Sequence, residues 1–268
     1  ISTVEAEGGH ATEDDLMNYQ IIEDNKFSTK IGSLNLTGHS GPSIGGLMVL
    51  KYIDALKNNQ DNLLNKLTKV YQERNDQYEF FGNRQKFIAE QIRTISQSSS
   101  TIQVNTSDVT NNHFSITFSS GYGSGVLCGN TGMYLNNSLG EIELNPQGFL
   151  GSTKNDRLIS NMSPMIIESK DMLATIGSPG ADRISSALAQ VILSFLEVEN
   201  WDIAINKPRF HINGDGTIRT EPDSGYSFPN QIITDPNDMY FGGVCVSGLG
   251  NSIFSFGDKR RGDTSWES

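Results

Sequence analysis

The chain changes periodicity once, at residues 96–101, where Ser-Gln-Ser-Ser-Ser-Thr separates helical spacing from strict alternation. Upstream, apolar side chains recur three and four residues apart: Leu47, Leu50, Ile53 and Leu56, then Leu63, Leu64, Leu67, Val70 and Tyr71, then Phe87, Ile88, Ile92 and Ile95. Such spacing lines up one face of each of three helices. Downstream, residues 102–108 and 113–119 alternate and are joined at Thr110-Asn111-Asn112, where asparagine tolerates a positive φ. In the first arm Ile102 and Val104 oppose Thr101, Gln103 and Asn105; in the second, Phe114, Ile116 and Phe118 oppose His113, Ser115, Thr117 and Ser119. One hairpin thus carries an apolar face and a hydroxyl-rich face. Helices followed by strands, a helix and more strands imply a layered domain of mixed helix and sheet. Taken alone, the hydroxyl-rich face is expected to lie in water.

The rest of the pattern fits that class. Thr12 followed by Asp15 marks a helix start, with Leu16, Met17 and Tyr19 as its apolar side. Short strands are expected around Phe27 to Lys30, and the cluster Gly41-Pro42-Ser43-Ile44-Gly45-Gly46 opens the first long helix. Met165 to Ile167 and Leu173 to Ile176 read as a hairpin. Gly177-Ser178-Pro179-Gly180-Ala181 then leads into a helix bearing Ile184, Leu188, Val191, Ile192 and Phe195. Phe241 to Val246 and Ile253 to Phe256 read as strands.

Composition excludes several classes. The net charge of -11 argues against a nucleic-acid partner or an anionic membrane surface. No run of apolar residues is long enough for a membrane span. Cys128 and Cys245 sit in strand-like contexts and read as buried free thiols. The four histidines lack ligand spacing, so neither a metal site nor a cofactor is expected. The chain opens on Ile1 with no signal peptide, so its true amino terminus is expected to be absent and the compartment stays open.

Two features invite chemistry. Thr101 follows a serine-rich stretch at a helix-to-strand boundary. A threonine hydroxyl needs a base to become a nucleophile. Cutting the chain just before it frees an α-amine with a pKa of about 8, suited to that task. The same residue reads equally as a polar loop entering an edge strand. Second, backbone N–H groups at a glycine turn before a helix can hold an oxyanion in acyl transfer. Many such turns bind nothing.

In order and spacing, the motifs resemble the gamma-glutamyltransferase family. They run from Gly8-Gly9 with Thr12 to Tyr19, through the Gly41 to Gly46 cluster, to Gly123-Ser124-Gly125, Leu135-Asn136-Asn137 and Leu139-Gly140-Glu141. Then come Leu144-Asn145-Pro146-Gln147-Gly148-Phe149, Ser160-Asn161-Met162-Ser163-Pro164, Gly177-Ser178-Pro179-Gly180 and Pro208-Arg209-Phe210-His211. Phe241-Gly242-Gly243-Val244 and Gly257 to Gly262 complete a set covering roughly residues 6–262. The resemblance implies an α+β fold, the four-layer αββα sandwich of N-terminal-nucleophile hydrolases, here lacking its amino-terminal part.

Two registers place the nucleophile. His113-Phe114-Ser115 resembles the family's Thr-Thr-His-Phe-Ser opening, which puts Asn111 at the nucleophile position and implies an inactive protein. The other register starts at Thr101 and runs without a gap to Gly123-Ser124-Gly125, and it is preferred. Against the family pattern Ile102, Gln103 and Asn105 are departures.

The resemblance then implies roles. Thr101 is cleavage point and nucleophile; Thr117 and Ser119 match hydroxyls that assist maturation and orient it. Glu141 matches the residue holding a donor's α-amino group. Ser160 and Asn161 match a serine pair on the donor carboxylate, the second serine now Asn. Gly180 and Ala181 match the oxyanion-hole pair. The expected activity is hydrolysis or transfer of a gamma-glutamyl group from glutathione or a related amide. Cleavage after Ser100 would give a heterodimer of residues 1–100, the end of a large subunit, and 101–268, the small catalytic subunit. A glutaryl-type amide acylase and a non-catalytic homologue are the alternatives. The family's donor-clamping arginine, which lies early in its large subunit, has no counterpart here.

Overall fold

A computed structural model describes residues 1–21, 23, 26–39, 43–57, 62–76, 101–141, 158–262 and 265–267. The expected helix around residues 87–95, the Ser98-Ser99-Ser100 stretch, Gly41-Pro42 and the Leu144 to Phe149 motif lie outside these residues. Two short helices, α1 (Ser2–Ala6) and α2 (Glu13–Met17), open the chain and bury nothing. Thr12 and Asp15 do form the expected capping box. The apolar side assigned to this helix faces solvent instead, with Leu16, Met17 and Tyr19 all exposed. Five residues are too short to seat a face against anything.

The centre is a seven-stranded sheet whose pairings are all antiparallel, in the order β1, β2, β5, β6, β10, β11, β12. These strands are β1 (Lys26–Ile31), β2 (Leu34–His39), β5 (Met165–Glu168), β6 (Leu173–Gly177), β10 (Cys245–Leu249), β11 (Ile253–Phe256) and β12 (Trp266–Glu267). The strands from before and after residue 101 share one ladder, since β2 pairs with β5 through Leu36 and Ile167. Alternation sends Leu34, Leu36, Met165, Ile167, Ile176 and Val246 to one face, where all are buried. Helices α3 (Gly45–Lys57), α4 (Leu63–Asp76) and α5 (Arg183–Val198) supply the matching residues Met48, Ile53, Leu67, Ile184, Leu188 and Ile192. Each such side chain contributes about 1.5–3 kcal/mol of burial. Helix α6 (Trp201–Asn206) stacks Trp201 on Phe195. A small sheet of β7 (Phe210–Ile212), β8 (Ile218–Thr220) and β9 (Ile232–Ile233) closes one end.

The stripe expected on α3 is shifted. Leu47 is exposed and Leu50 half-buried, whereas Met48, Val49, Tyr52 and Ile53 are buried. The helix packs against both α4 and α5, so its inward arc is wider than a single stripe. Likewise the strand expected from Phe241 begins only at Cys245, after a 3-10 turn over Met239–Phe241. Cys128 lies among turns, where its carbonyl accepts from Thr131, and not in a strand.

The hairpin is β3 (Ile102–Ser107) and β4 (His113–Phe118), paired from Ile102–Phe118 to Ser107–His113. It forms a third layer over β6 and β10. Its orientation corrects the simple expectation. The polar face turns inward, and the apolar face, with Phe114 58% exposed and Ile102 50% exposed, turns outward. The reason lies in the sheet beneath. Thr175, Gly177, Cys245 and Ser247 share the face opposite the helices, by their pairing in the ladder, so that face presents small and polar side chains in place of an apolar surface. Asn105 Nδ2 donates to the Cys245 carbonyl at 2.7 Å, and Ser115 Oγ to the Ile176 carbonyl at 3.4 Å.

Candidate active site

Thr101 sits at the head of β3, buried at 7% exposure. Its Oγ1 donates to Ser119 Oγ at 3.2 Å, and Ser119 Oγ also accepts from the Gly121 N–H at 3.0 Å. One step along the hairpin, Thr117 donates to Gln103 Oε1. Gln103 Nε2 donates to Asn105 Oδ1 at 2.9 Å and to Ser115 Oγ at 3.0 Å. The inward face therefore carries two polar groups, the Thr101–Ser119 pair at its head and the cluster of Gln103, Asn105, Ser115 and Thr117 beside it. Gly177 is the notch that admits the cluster, because a Cβ there would collide with the Gln103 side chain.

A cavity of about 420 Å³ opens beside Thr101. Its wall includes Gln103 and Asn105 from β3, Pro179 from the glycine turn, Gly243 and Cys245, and Asp258 and Arg261 from the last turn of the chain. Burial pushes the Cys245 thiol up to about 11, against the pull of the Asn105 amide, so it stays protonated at neutral pH. Asn111, the position favoured by the rival register, is an exposed residue at φ 69° in the hairpin's turn, at the opposite end from Thr101.

The turn itself is unusual. Gly180 has φ 132° and Ala181 φ 52°, both buried, ahead of α5. Among the described residues neither the Gly180 nor the Ala181 amide donates a hydrogen bond. Buried, adjacent, unsatisfied N–H groups are rare and suit an incoming oxyanion.

Behind the turn lies a buried ionic cluster. Asp182 occupies the N-cap of α5, yet its side chain makes no capping bond. It pairs with Arg183 Nη1 at 2.6 Å, accepts from Tyr71 Oη at 3.4 Å and faces His211 Nε2 at 3.6 Å. Burial alone pushes its carboxyl up, but Arg183, His211 and Arg74 together hold it well below the usual range. Burial likewise pushes His211 down, against the pull of Asp182, so the ring is neutral. Its Nδ1 shares a hydrogen bond with Ser186 Oγ at 2.7 Å, and that hydroxyl also donates to the Arg183 carbonyl at 3.1 Å.

The residues expected to bind a donor are placed elsewhere. Glu141, Ser160 and Asn161 are not in the cavity wall. Ser160 bridges to Ser43 before α3, and its carbonyl accepts from Ile44 N–H at 2.9 Å. Buried Asn161 accepts from Arg74 Nε at 3.1 Å, while its Nδ2 has no partner among the described residues. Arg74, in turn, lies over the Tyr71 ring and acts on Asp182. The donor motif and the turn thus meet through the Arg74–Asp182 cluster and not through the cavity.

Sequence reasoning missed three contributors. The C-terminal segment is pinned by Asp258, which pairs with Arg209 at 2.8 Å and Arg260 at 3.0 Å, and Arg260 also binds Glu221. Burial lowers Arg209 to about 10 despite Asp258. The only sequence signal was the concentration of charge in Asp258-Lys259-Arg260-Arg261. Asp182 was visible as a helix-start residue, and Ser178 as a hydroxyl before proline. Among the described residues no group of side chains could hold a metal ion, and no helix is long and apolar enough to cross a membrane.

Comparisons with known proteins give the family and the fold. The family model for gamma-glutamyltranspeptidase matches residues 63–240, about two thirds of the chain. Over 120 residues the chain is 30% identical to the glutathione hydrolase proenzyme of Bacillus subtilis (strain 168), covering 44% of this chain and 20% of that one. Over 108 residues it is 32% identical to the glutathione hydrolase proenzyme of Escherichia coli (strain K12), covering 35% and 18%. The chain thus spans about a fifth of the length of the curated relatives it matches. The crystal structure of cephalosporin acylase from Bacillus halodurans overlays with a TM-score of 0.68 at 17% identity, covering 98% of this chain and 57% of that one. That likeness establishes the fold: the α+β sandwich of the N-terminal-nucleophile type, with helices, sheet and hairpin as three of its four layers.

Proposed function

Because the chain belongs to the gamma-glutamyltranspeptidase family, we propose that it is the part of a gamma-glutamyl hydrolase or transferase that carries the nucleophile, Thr101. The protein opens its own backbone between Ser100 and Thr101. The pieces 1–100 and 101–268 stay together, as the β2–β5 ladder and the packing of α3 on α5 would require. The freed α-amine takes the hydroxyl proton, and Thr101 Oγ1 attacks the γ-carbonyl of glutathione or a related amide. The Gly180 and Ala181 amides hold the oxyanion, the amine departs with the proton, and a gamma-glutamyl ester remains. Water or a second amine then releases it. Ser119 orients the nucleophile through its hydrogen bond with Thr101 Oγ1, and Thr117 assists maturation as the resemblance implies. By the same resemblance Glu141, Ser160 and Asn161 would hold the donor's amine and carboxylate, although none of them lines the cavity beside Thr101.

One observation carries this reading: a buried threonine at the head of a strand shares a cavity wall with Pro179, directly before the two buried, unpaired amides of Gly180 and Ala181, which are not themselves in that wall. Denaturing electrophoresis with amino-terminal sequencing tests it. Wild-type protein gives two bands, the smaller subunit beginning Thr-Ile-Gln, and Thr101→Ala gives one. A wild-type chain that stays intact and inactive would leave a non-catalytic homologue. The acylase alternative is favoured by Asn161, whose amide oxygen accepts from Arg74 and whose NH2 stands where the family has a serine hydroxyl. Faster turnover of a glutaryl amide than of glutathione would select it.

A further inference from the structure

The two unpaired amides of the turn are aimed by their own carbonyls. In a planar trans peptide the N–H points away from the C=O, so fixing one fixes the other. The Ala181 N–H belongs to the peptide whose oxygen, that of Gly180, accepts from Arg183 N–H at 2.9 Å. The start of α5 therefore orients it. The Gly180 N–H belongs to the peptide whose oxygen is that of Pro179, which lies too early in the turn for the helix to reach. That oxygen accepts from Ser178 Oγ at 2.7 Å. Ser178 Oγ in turn accepts from the Gly243 N–H at 3.2 Å.

From this arrangement we infer that Ser178 is a positioning residue: its hydroxyl holds the Pro179–Gly180 peptide, behind the cavity wall at Pro179, and so fixes the direction of the Gly180 N–H. Ser178 is fully buried and does not itself line the cavity, so it acts through the wall residues it bonds, Pro179 and Gly243. The contact needs Gly242. A Cβ at that position would lie 2.9 Å from Ser178 Oγ and 3.0 Å from the Pro179 oxygen, and its φ of 84° suits glycine. The Phe241-Gly242-Gly243 segment thus works as the outer anchor of the turn, with Ser178 as the pin between them. Without the hydroxyl, the Pro179 carbonyl loses its donor and the peptide is free to rotate.

The inference rests on the oxyanion role proposed for Gly180, and the test separates the two. Ser178→Ala removes one oxygen atom from a buried site and keeps the fold at risk to a minimum. In the purified protein, kcat for a chromogenic gamma-glutamyl anilide falls about 10- to 100-fold, less than or equal to the loss of a whole oxyanion donor. KM stays within about twofold, as does inhibition by glutamate, because neither reads the tetrahedral state. Affinity for a glutamate analogue bearing a boronic acid in place of the γ-carboxyl, which forms a tetrahedral adduct, falls in step with kcat. A crystal structure of the variant shows the Pro179–Gly180 peptide rotated or in two orientations. Unchanged boronate affinity, or equal losses for boronate and glutamate, overturns the inference. If wild-type protein binds no boronate, the oxyanion reading is what has failed. Peptide orientation in the variant then decides alone, and an unrotated peptide overturns the role of Ser178.

Discussion

The two faces of the seven-stranded sheet are held by different physics. On the helix side Leu36, Ile167, Ile176 and Val246 meet helices over fully buried apolar surface, an attraction with no preferred direction. On the hairpin side Asn105 donates to the Cys245 carbonyl and Ser115 to the Ile176 carbonyl, contacts that depend on matched donors and acceptors. The first face sets whether the domain folds. The second sets where the hydroxyl of Thr101 stands relative to the turn. Interchangeable area suffices for stability, whereas directed bonds are needed to aim a nucleophile.

That division can be broken by substitutions placed on either side. The largest effect belongs to Thr101→Ala, which lowers turnover by four orders of magnitude or more, as loss of a nucleophile does, while the thermal midpoint shifts little. Comparable loss of both would show that the hairpin side carries stability too. On the helix side Ile176→Ala lowers unfolding free energy by about 2–5 kcal/mol in urea titration, with kcat of the remaining folded protein within a few-fold. Asn105→Ala, one layer away, leaves the Cys245 carbonyl without its donor and costs about 1–3 kcal/mol. Its turnover falls by more than its stability accounts for; proportional losses would erase the distinction between the faces.

The smallest effect comes from the cluster behind the turn. His211 is neutral in the fold and its pKa lies below the ordinary 6.5, so the unfolded chain takes the proton first as pH falls. The contribution is present above about pH 6.5 and is lost as pH drops through that value, by up to about 1.4 kcal/mol per pH unit. His211→Gln flattens stability between pH 7 and pH 5. An unchanged slope would mean the ring is protonated in the fold.

Legibility in the sequence followed the same division. Local periodicity revealed the β5–β6 hairpin, the stripe of α5 through Ile184, Leu188 and Ile192, and the alternation of β3 and β4. Each depends on residues within a few positions. The direction the hairpin faces did not, because Asn105 finds its partner at Cys245, 140 residues away. The α3 stripe was displaced toward Met48 and Tyr52 for a similar reason: besides its neighbour α4, the sequence-distant α5 covers it. For the site, ordered motifs pointed to Thr101 and to the turn. The Asp182–His211 pair and the Ser178 pin needed coordinates, since a residue one step before proline gives no hint of which carbonyl it will hold.

The account's central claim is that the hydroxyl of Thr101 carries the acyl group. Purified protein mixed with a gamma-glutamyl amide, acid-quenched within one turnover and mapped by mass spectrometry, answers it directly. The expected result is a peptide beginning at Thr101 that bears one gamma-glutamyl group on its side chain. An adduct on Ser119 or Cys245, or turnover with no adduct on the Thr101 peptide, would contradict it.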